Sequence, residues 1–191
     1  LSDTTNQLKL YRMPQATPTV PEKIRSSYSA TPLREFFLVS LKEIYWAEQE
    51  IMTGLKKLQK ATSHPVLIRA FKDHEHDTRK HIARLEKVFE WLNEQPQAKK
   101  CLAMEGILKE ADEIITQTAE GTATRDATLV IAARKVEHYE IACYGGLVAI
   151  AYTLGQDRMA GLLQKTLQDE EHTDLLLSEI AMHEINFKAP G

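Results

Sequence analysis

The chain has few of the features that quickly assign a sequence to a class. Its two cysteines, Cys101 and Cys143, form no CxxC pair, and a chain of 191 residues needs neither disulfide nor structural zinc to support a core. They read as reduced thiols, which points to the cytoplasm. No stretch approaches the roughly 20 consecutive apolar residues of a membrane span, and the first residues lack the charged-then-apolar order of a signal peptide. The net charge of −3 comes from interspersed acids and bases. Without a basic block, neither nucleic acid nor membrane is expected as a partner. No segment alternates with period two, so β-structure is not expected. There is no Gly-x-Ser-x-Gly, phosphate loop or dinucleotide fingerprint, and so no recognisable nucleophile or nucleotide site.

What is present is helical. Residues 1–30 hold Pro14, Pro18 and Pro21 among many Ser and Thr, and read as a flexible N-terminal arm or tail. Residues 31–191 read as one helical bundle domain. Thr31-Pro32 is a cap with proline in the first turn, and a first helix (A) runs from there to about Ala61. Ser63-His64-Pro65 breaks it and starts helix B, which runs to about Asn93. A connection of about thirty residues follows, and at about 1.5 Å per helical residue it can return along the bundle. Within it, Cys101 to about Ala119 is amphipathic and forms a short fifth helix. Helix C spans about Thr124 to Leu154, Gly155 stops it, and helix D runs from about Asp157 to Phe187. Gly145-Gly146 inside helix C permits a close helix approach or a bend.

Steps of three and four residues trace one stripe of a helix, so each buried seam can be read directly. The seams are Leu41, Ile44, Glu48, Ile51, Leu55, Leu58 in A and Phe71, His74, Thr78, His81, Leu85, Val88, Leu92 in B. In C the seam is Val130, Ala133, Glu137, Glu140, Tyr144, Leu147, Ala151, and in D it is Ala160, Leu163, Leu167, Glu170, Asp174, Leu177, Ala181. Each is interrupted near its midpoint by side chains that bind metals. Counting outward from the two tight turns puts Glu48 opposite Asp77, Glu43 opposite His81 or Ile82, Glu137 opposite Asp174 and Glu140 opposite Glu171, one residue from Glu170.

An unpaired buried carboxylate costs several kcal/mol, and gathering four adds mutual repulsion. Two metal ions compensate this most completely. Oxygen-rich ligation with one or two imidazoles suits iron, with manganese or zinc as alternatives. Two antiparallel hairpins joined by a crossover that contains the short fifth helix make an all-α, ferritin-like four-helix bundle. The bundle differs from the usual di-iron pattern in its acid/His spacing. Asp77 and His81, and likewise Glu170 and Asp174, are four apart, where Glu-x-x-His would be three. The expected ligands are Glu137 or Glu140 and Glu48 or Asp77 as bridges, His81 as imidazole, and Glu170 and Asp174 as terminal ligands. Glu43, His74 and His138 are alternates. The competing reading is a non-enzymatic structural bundle whose acids, histidines and tyrosines form a metal-free polar layer.

The segments YWAEQEI in A, CLAMEGILKEADEII in the connection, RKVEHYEIACYG in C and TLQDEEHTD in D resemble the bacterial YciE/YciF-type stress proteins. The order and spacing of all four agree over about residues 33–185. In helix B the family pattern His-Leu-Glu-Glu-Thr stands here as His74-Glu75-His76-Asp77-Thr78, a shorter acid beside a histidine. The resemblance implies a ferritin-like bundle that forms a homodimer, with a dinuclear metal site and no established reaction; a small oxidant is the expected substrate class.

Overall fold

The computed structural model describes residues 31–189, so the arm expected over residues 1–30 lies outside the described residues. Five α-helices carry the described residues: α1 Pro32–Ala61, α2 Pro65–Leu92, α3 Leu102–Gln117, α4 Ala123–Thr153 and α5 Asp157–Ile180. No strand occurs among the described residues.

The boundaries follow local chemistry. The Thr31 and Thr122 hydroxyls accept from Arg34 N and Arg125 N at the starts of α1 and α4. The Cys101 sulfur accepts from Met104 N at the start of α3. Asn93, in a left-handed conformation with φ 56°, ends α2, and Gly155, with φ 69°, turns the chain from α4 into α5. The break between α1 and α2 is held by Asp126 of α4, which accepts from the Thr62 hydroxyl, Ser63 N and the Ser63 hydroxyl.

The last helix differs from its expected course. Regular α-helix stops at Ile180 and a five-residue π turn, Ala181–Ile185, leads into a short 3₁₀ turn. The wider turn brings Ile185 onto the same face as Ile180, and both are buried.

Helix α1 packs on α2 and α4, α5 packs on α4 and α2, and α3 lies across α4 and α1. The traced seams of α1 and α4 are buried at every position. In α5 the seam is rotated slightly, with Thr173 and Ile180 inside where Asp174 and Ala181 were expected. Gly145 and Gly146 bring no helix close: a Cβ on either would meet no atom within 4 Å.

Candidate metal centre

Six acids and histidines converge in the middle of the bundle, supplied by all four long helices. Glu48 comes from α1, His74 and His81 from α2, Glu137 and Glu140 from α4, and Glu170 from α5. Their ligand-type atoms form two groups, His74 with Glu137, Glu140 and Glu170, and Glu48 with His81 and Glu170. Glu170 belongs to both. No side chain of the six is more than 3% exposed.

The ligand-type atoms stand close together, while their hydrogen bonding is incomplete. His74 Nε2 is 3.3 Å from Glu137 Oε1 and its Nδ1 is 3.9 Å from Glu170 Oε2. His81 Nδ1 is 2.8 Å from Glu170 Oε1 and 3.6 Å from Glu48 Oε1. These approaches are close, yet His81 Nδ1 and both His74 nitrogens lack hydrogen-bond geometry. Both oxygens of Glu140 and of Glu170, with one each of Glu48 and Glu137, also lack a partner. Native interiors rarely leave buried polar atoms unpaired, and these are groups that could hold a metal ion. Tyr144 donates to Glu48 Oε1 and fixes that carboxylate.

The electrostatics agree. Burial, reinforced by neighbouring carboxylates, raises the Glu137 and Glu140 pKa values well above the usual range. Burial raises Glu48 as well, against the pull of His81. For His81, burial alone acts downward, but the Glu170 and Glu48 carboxylates outweigh it and push the value up to about 10. His74 is held low by burial.

Six of the ten residues expected as ligands or alternates thus meet, and Glu43, Asp77, Asp174 and His138 do not. Glu43 stays at the bundle edge, where Lys99 reaches it at 2.8 Å. Asp77 pairs with Lys80 at 2.6 Å on the outer side of α2. Asp174 takes Arg134 at 2.7 Å and the alternate His138 at 3.2 Å. Counting from a turn sets the height of a residue but not its rotation. Asp77 lies roughly 60° around the helix from His74, enough to leave the seam.

Asp169 and Arg84 were not expected. Asp169 Oδ2 is 3.3 Å from His81 Nε2 and 2.6 Å from Arg84 Nη1. The imidazole is therefore held from behind, with Nδ1 turned to the cluster, as outer carboxylates orient metal-ligating histidines. Arg84, which places Asp169, comes from a helix far away in the chain, so no local spacing links the two.

Comparison with known proteins places the fold. The domain of unknown function DUF892 matches residues 32–189. The protein YciF of Escherichia coli K12 is 42% identical over 158 residues, 82% of this chain and 95% of YciF. The crystal structure of that E. coli stress protein superposes with a TM-score of 0.77 at 40% identity, covering 82% of this chain and 99% of the other. YcfI of Rhodopseudomonas palustris superposes with a TM-score of 0.75 at 36% identity, covering 80% and 96%. Dps from Thermosynechococcus elongatus, 18% identical with a TM-score of 0.61 over 81% of this chain and 94% of that one, shares the ferritin-like fold alone. The chain belongs to the YciF-type stress-protein family that its own motifs resemble, matched almost throughout its described part by DUF892.

Proposed function

We propose that Glu48, His74, His81, Glu137, Glu140 and Glu170 bind two metal ions, and that the metal is iron. The carrying observation is the set of unpartnered, fully buried oxygens and nitrogens in one layer of the bundle. Four carboxylates carry −4 when ionised and two divalent ions carry +4, so the pair brings the layer to neutrality. Among the described residues, the ion pairs of these four acids are with His74 and His81 only. A metal-free polar layer would leave both Glu140 oxygens unsatisfied, which disfavours that reading.

His74, Glu137 and Glu140 would hold one ion and Glu48 and His81 the other, with Glu170, common to both groups, shared between them. Four carboxylates and two imidazoles suit iron, with manganese and zinc as competitors. Such a pair of ions would supply two electrons to a small oxidant such as dioxygen or peroxide, in keeping with a protective role under stress. The protein's own part is to hold the side chains oriented, through Tyr144 on Glu48 and Asp169 on His81, and to exclude water.

The same reading takes the bundle as two antiparallel hairpins joined by a crossover through α3. Supporting it, Tyr45 meets Glu86 while Gln59 meets Glu75, and Glu48 meets Tyr144 while Thr62 meets Asp126. It also takes residues 31–191 as one domain of a cytoplasmic homodimer. Phe36 and Val39, exposed a turn apart on α1, give a second copy an apolar footing.

Metal analysis of protein purified without chelator, before and after anaerobic Fe(II) loading, tests the proposal. About two iron per chain after loading is the expected result. Less than about 0.2 metal per chain, unchanged by loading, overturns it.

A further inference from the structure

Both cysteines of the chain meet at one tyrosine. Cys101 is the N-cap of α3, while Tyr139 and Cys143 stand one turn apart on α4. The Cys101 sulfur lies 2.8 Å from the Tyr139 hydroxyl oxygen, and the same hydroxyl hydrogen-bonds the Cys143 sulfur. Two sulfurs in hydrogen-bond reach of one oxygen are at most roughly 7 Å apart. Rotation between staggered positions carries each sulfur by roughly 3 Å, so turning the two side chains is enough to bring them together. Tyr139 is only partly buried, which leaves its hydroxyl free to give way. The two thiols differ in access. Cys143 is half-buried and Cys101 buried, so a reagent from solvent meets Cys143 first. Burial raises the Cys143 thiol, against the pull of the Tyr139 hydroxyl. Where the thiolate is not stabilised, exchange is slow but the resulting disulfide resists reduction, as structural disulfides do.

We infer that Cys101 and Cys143 close an intramolecular disulfide when the chain meets a small-molecule disulfide such as oxidised glutathione, stapling the start of α3 to α4. Cys143 loses its proton to solvent and attacks the oxidant, forming a mixed disulfide and releasing one thiolate. Cys101 then loses its proton, attacks the Cys143 sulfur and releases the second thiolate. The protein gives up two hydrogens and two electrons, and one molecule of oxidised glutathione becomes two of glutathione. The Cys101 sulfur, which accepts from Met104 N at 3.4 Å, remains an acceptor for α3 after the bond forms. Neither sulfur belongs to the metal-binding groups, so the staple goes beyond the metal reading and requires no bound ion.

Equilibration of the chelator-treated chain with mixtures of oxidised and reduced glutathione, in buffer and in urea, tests the staple. Samples are quenched with iodoacetamide and read by intact mass and peptide mapping. The expected product is a single chain lighter by two hydrogens, with the Cys101 and Cys143 peptides joined. Closure is expected to be about 30- to 1000-fold more favourable in the folded chain than in the urea-unfolded one. The closed form melts several degrees higher than the open form, and Cys101→Ser stops at a glutathione adduct on Cys143. A folded-to-unfolded ratio near one, a wild-type chain that carries glutathione on Cys143 while Cys101 stays free, or dimers joined through Cys143 overturn the proposal. The chelator keeps iron out of this experiment, so its failure is distinct from a failure of iron loading.

Discussion

His81 Nδ1 lies 2.8 Å from Glu170 Oε1 with both side chains wholly shielded from solvent. In the metal-free chain this contact joins α2 to α5 through a protonated imidazole, whose proton a metal ion at the same position would displace. The occupied and empty layers therefore respond to pH in opposite directions.

The metal-free protein loses stability as pH rises from 6.5 to about 10. His81 has its ordinary value of 6.5 when unfolded and about 10 when folded, so its contribution is full below 6.5 and is lost through about 10. Glu48, Glu137 and Glu140 are raised above 4.5, so they too hold protons in the folded state that the unfolded chain releases. Their contribution also declines with rising pH. His74 is lowered from 6.5 and adds stability as pH approaches 6.5, but nothing beyond. Urea midpoints of chelator-treated protein measured over this range are expected to fall steadily, and a rising midpoint contradicts the assignment. Metal affinity changes the other way, since ligands must lose their protons to bind.

Much of this layer was legible because burial and helical period leave the same trace in a sequence. Glu48, His74, His81, Glu137, Glu140 and Glu170 each stand where a seam of Leu, Ile, Val and Ala is interrupted, and each is inside. Rotation was less legible than height. Asp174 sits one position beyond Thr173, which takes the buried place in α5, and so turns to Arg134. Glu43 depended on the path of the connection, which brings Lys99 against α1. Asp169 lies off its seam, and its role depends on Arg84 and His81 arriving from α2.

Asp169 acts on the centre without belonging to it. Burial works against its charge, but Arg84 outweighs burial and holds its carboxyl below the usual range, so it is ionised behind His81. Asp169→Asn keeps the shape and removes the charge that fixes which imidazole nitrogen faces Glu48 and Glu170. Metal affinity is expected to fall about 10- to 100-fold in competition with a chelator of known affinity, with the melting temperature of the metal-free protein nearly unchanged. Unaltered affinity would mean that His81 is oriented by its cluster contacts alone.

Glu140 separates a metal centre from a structural layer through the sign of one measurement. It is fully buried with neither oxygen partnered, so in metal-free protein it opposes folding. Glu140→Leu, close in volume, is expected to stabilise that state by about 1–4 kcal/mol. For a chain of this size each kcal/mol raises the melting temperature by about 2–4 °C. Iron reverses the order. A ligand present at a thousand times its dissociation constant stabilises the folded state by about 4 kcal/mol, and a variant lacking one ligand forgoes most of that gain. Melting of both proteins with chelator and with anaerobic Fe(II) should therefore show the variant ahead in the first condition and behind in the second. If Glu140→Leu leads in both, the acid binds no metal; if it trails in both, Glu140 is a structural member of a satisfied layer. Only inversion fits two ions held where six buried side chains leave their ligand atoms unpaired.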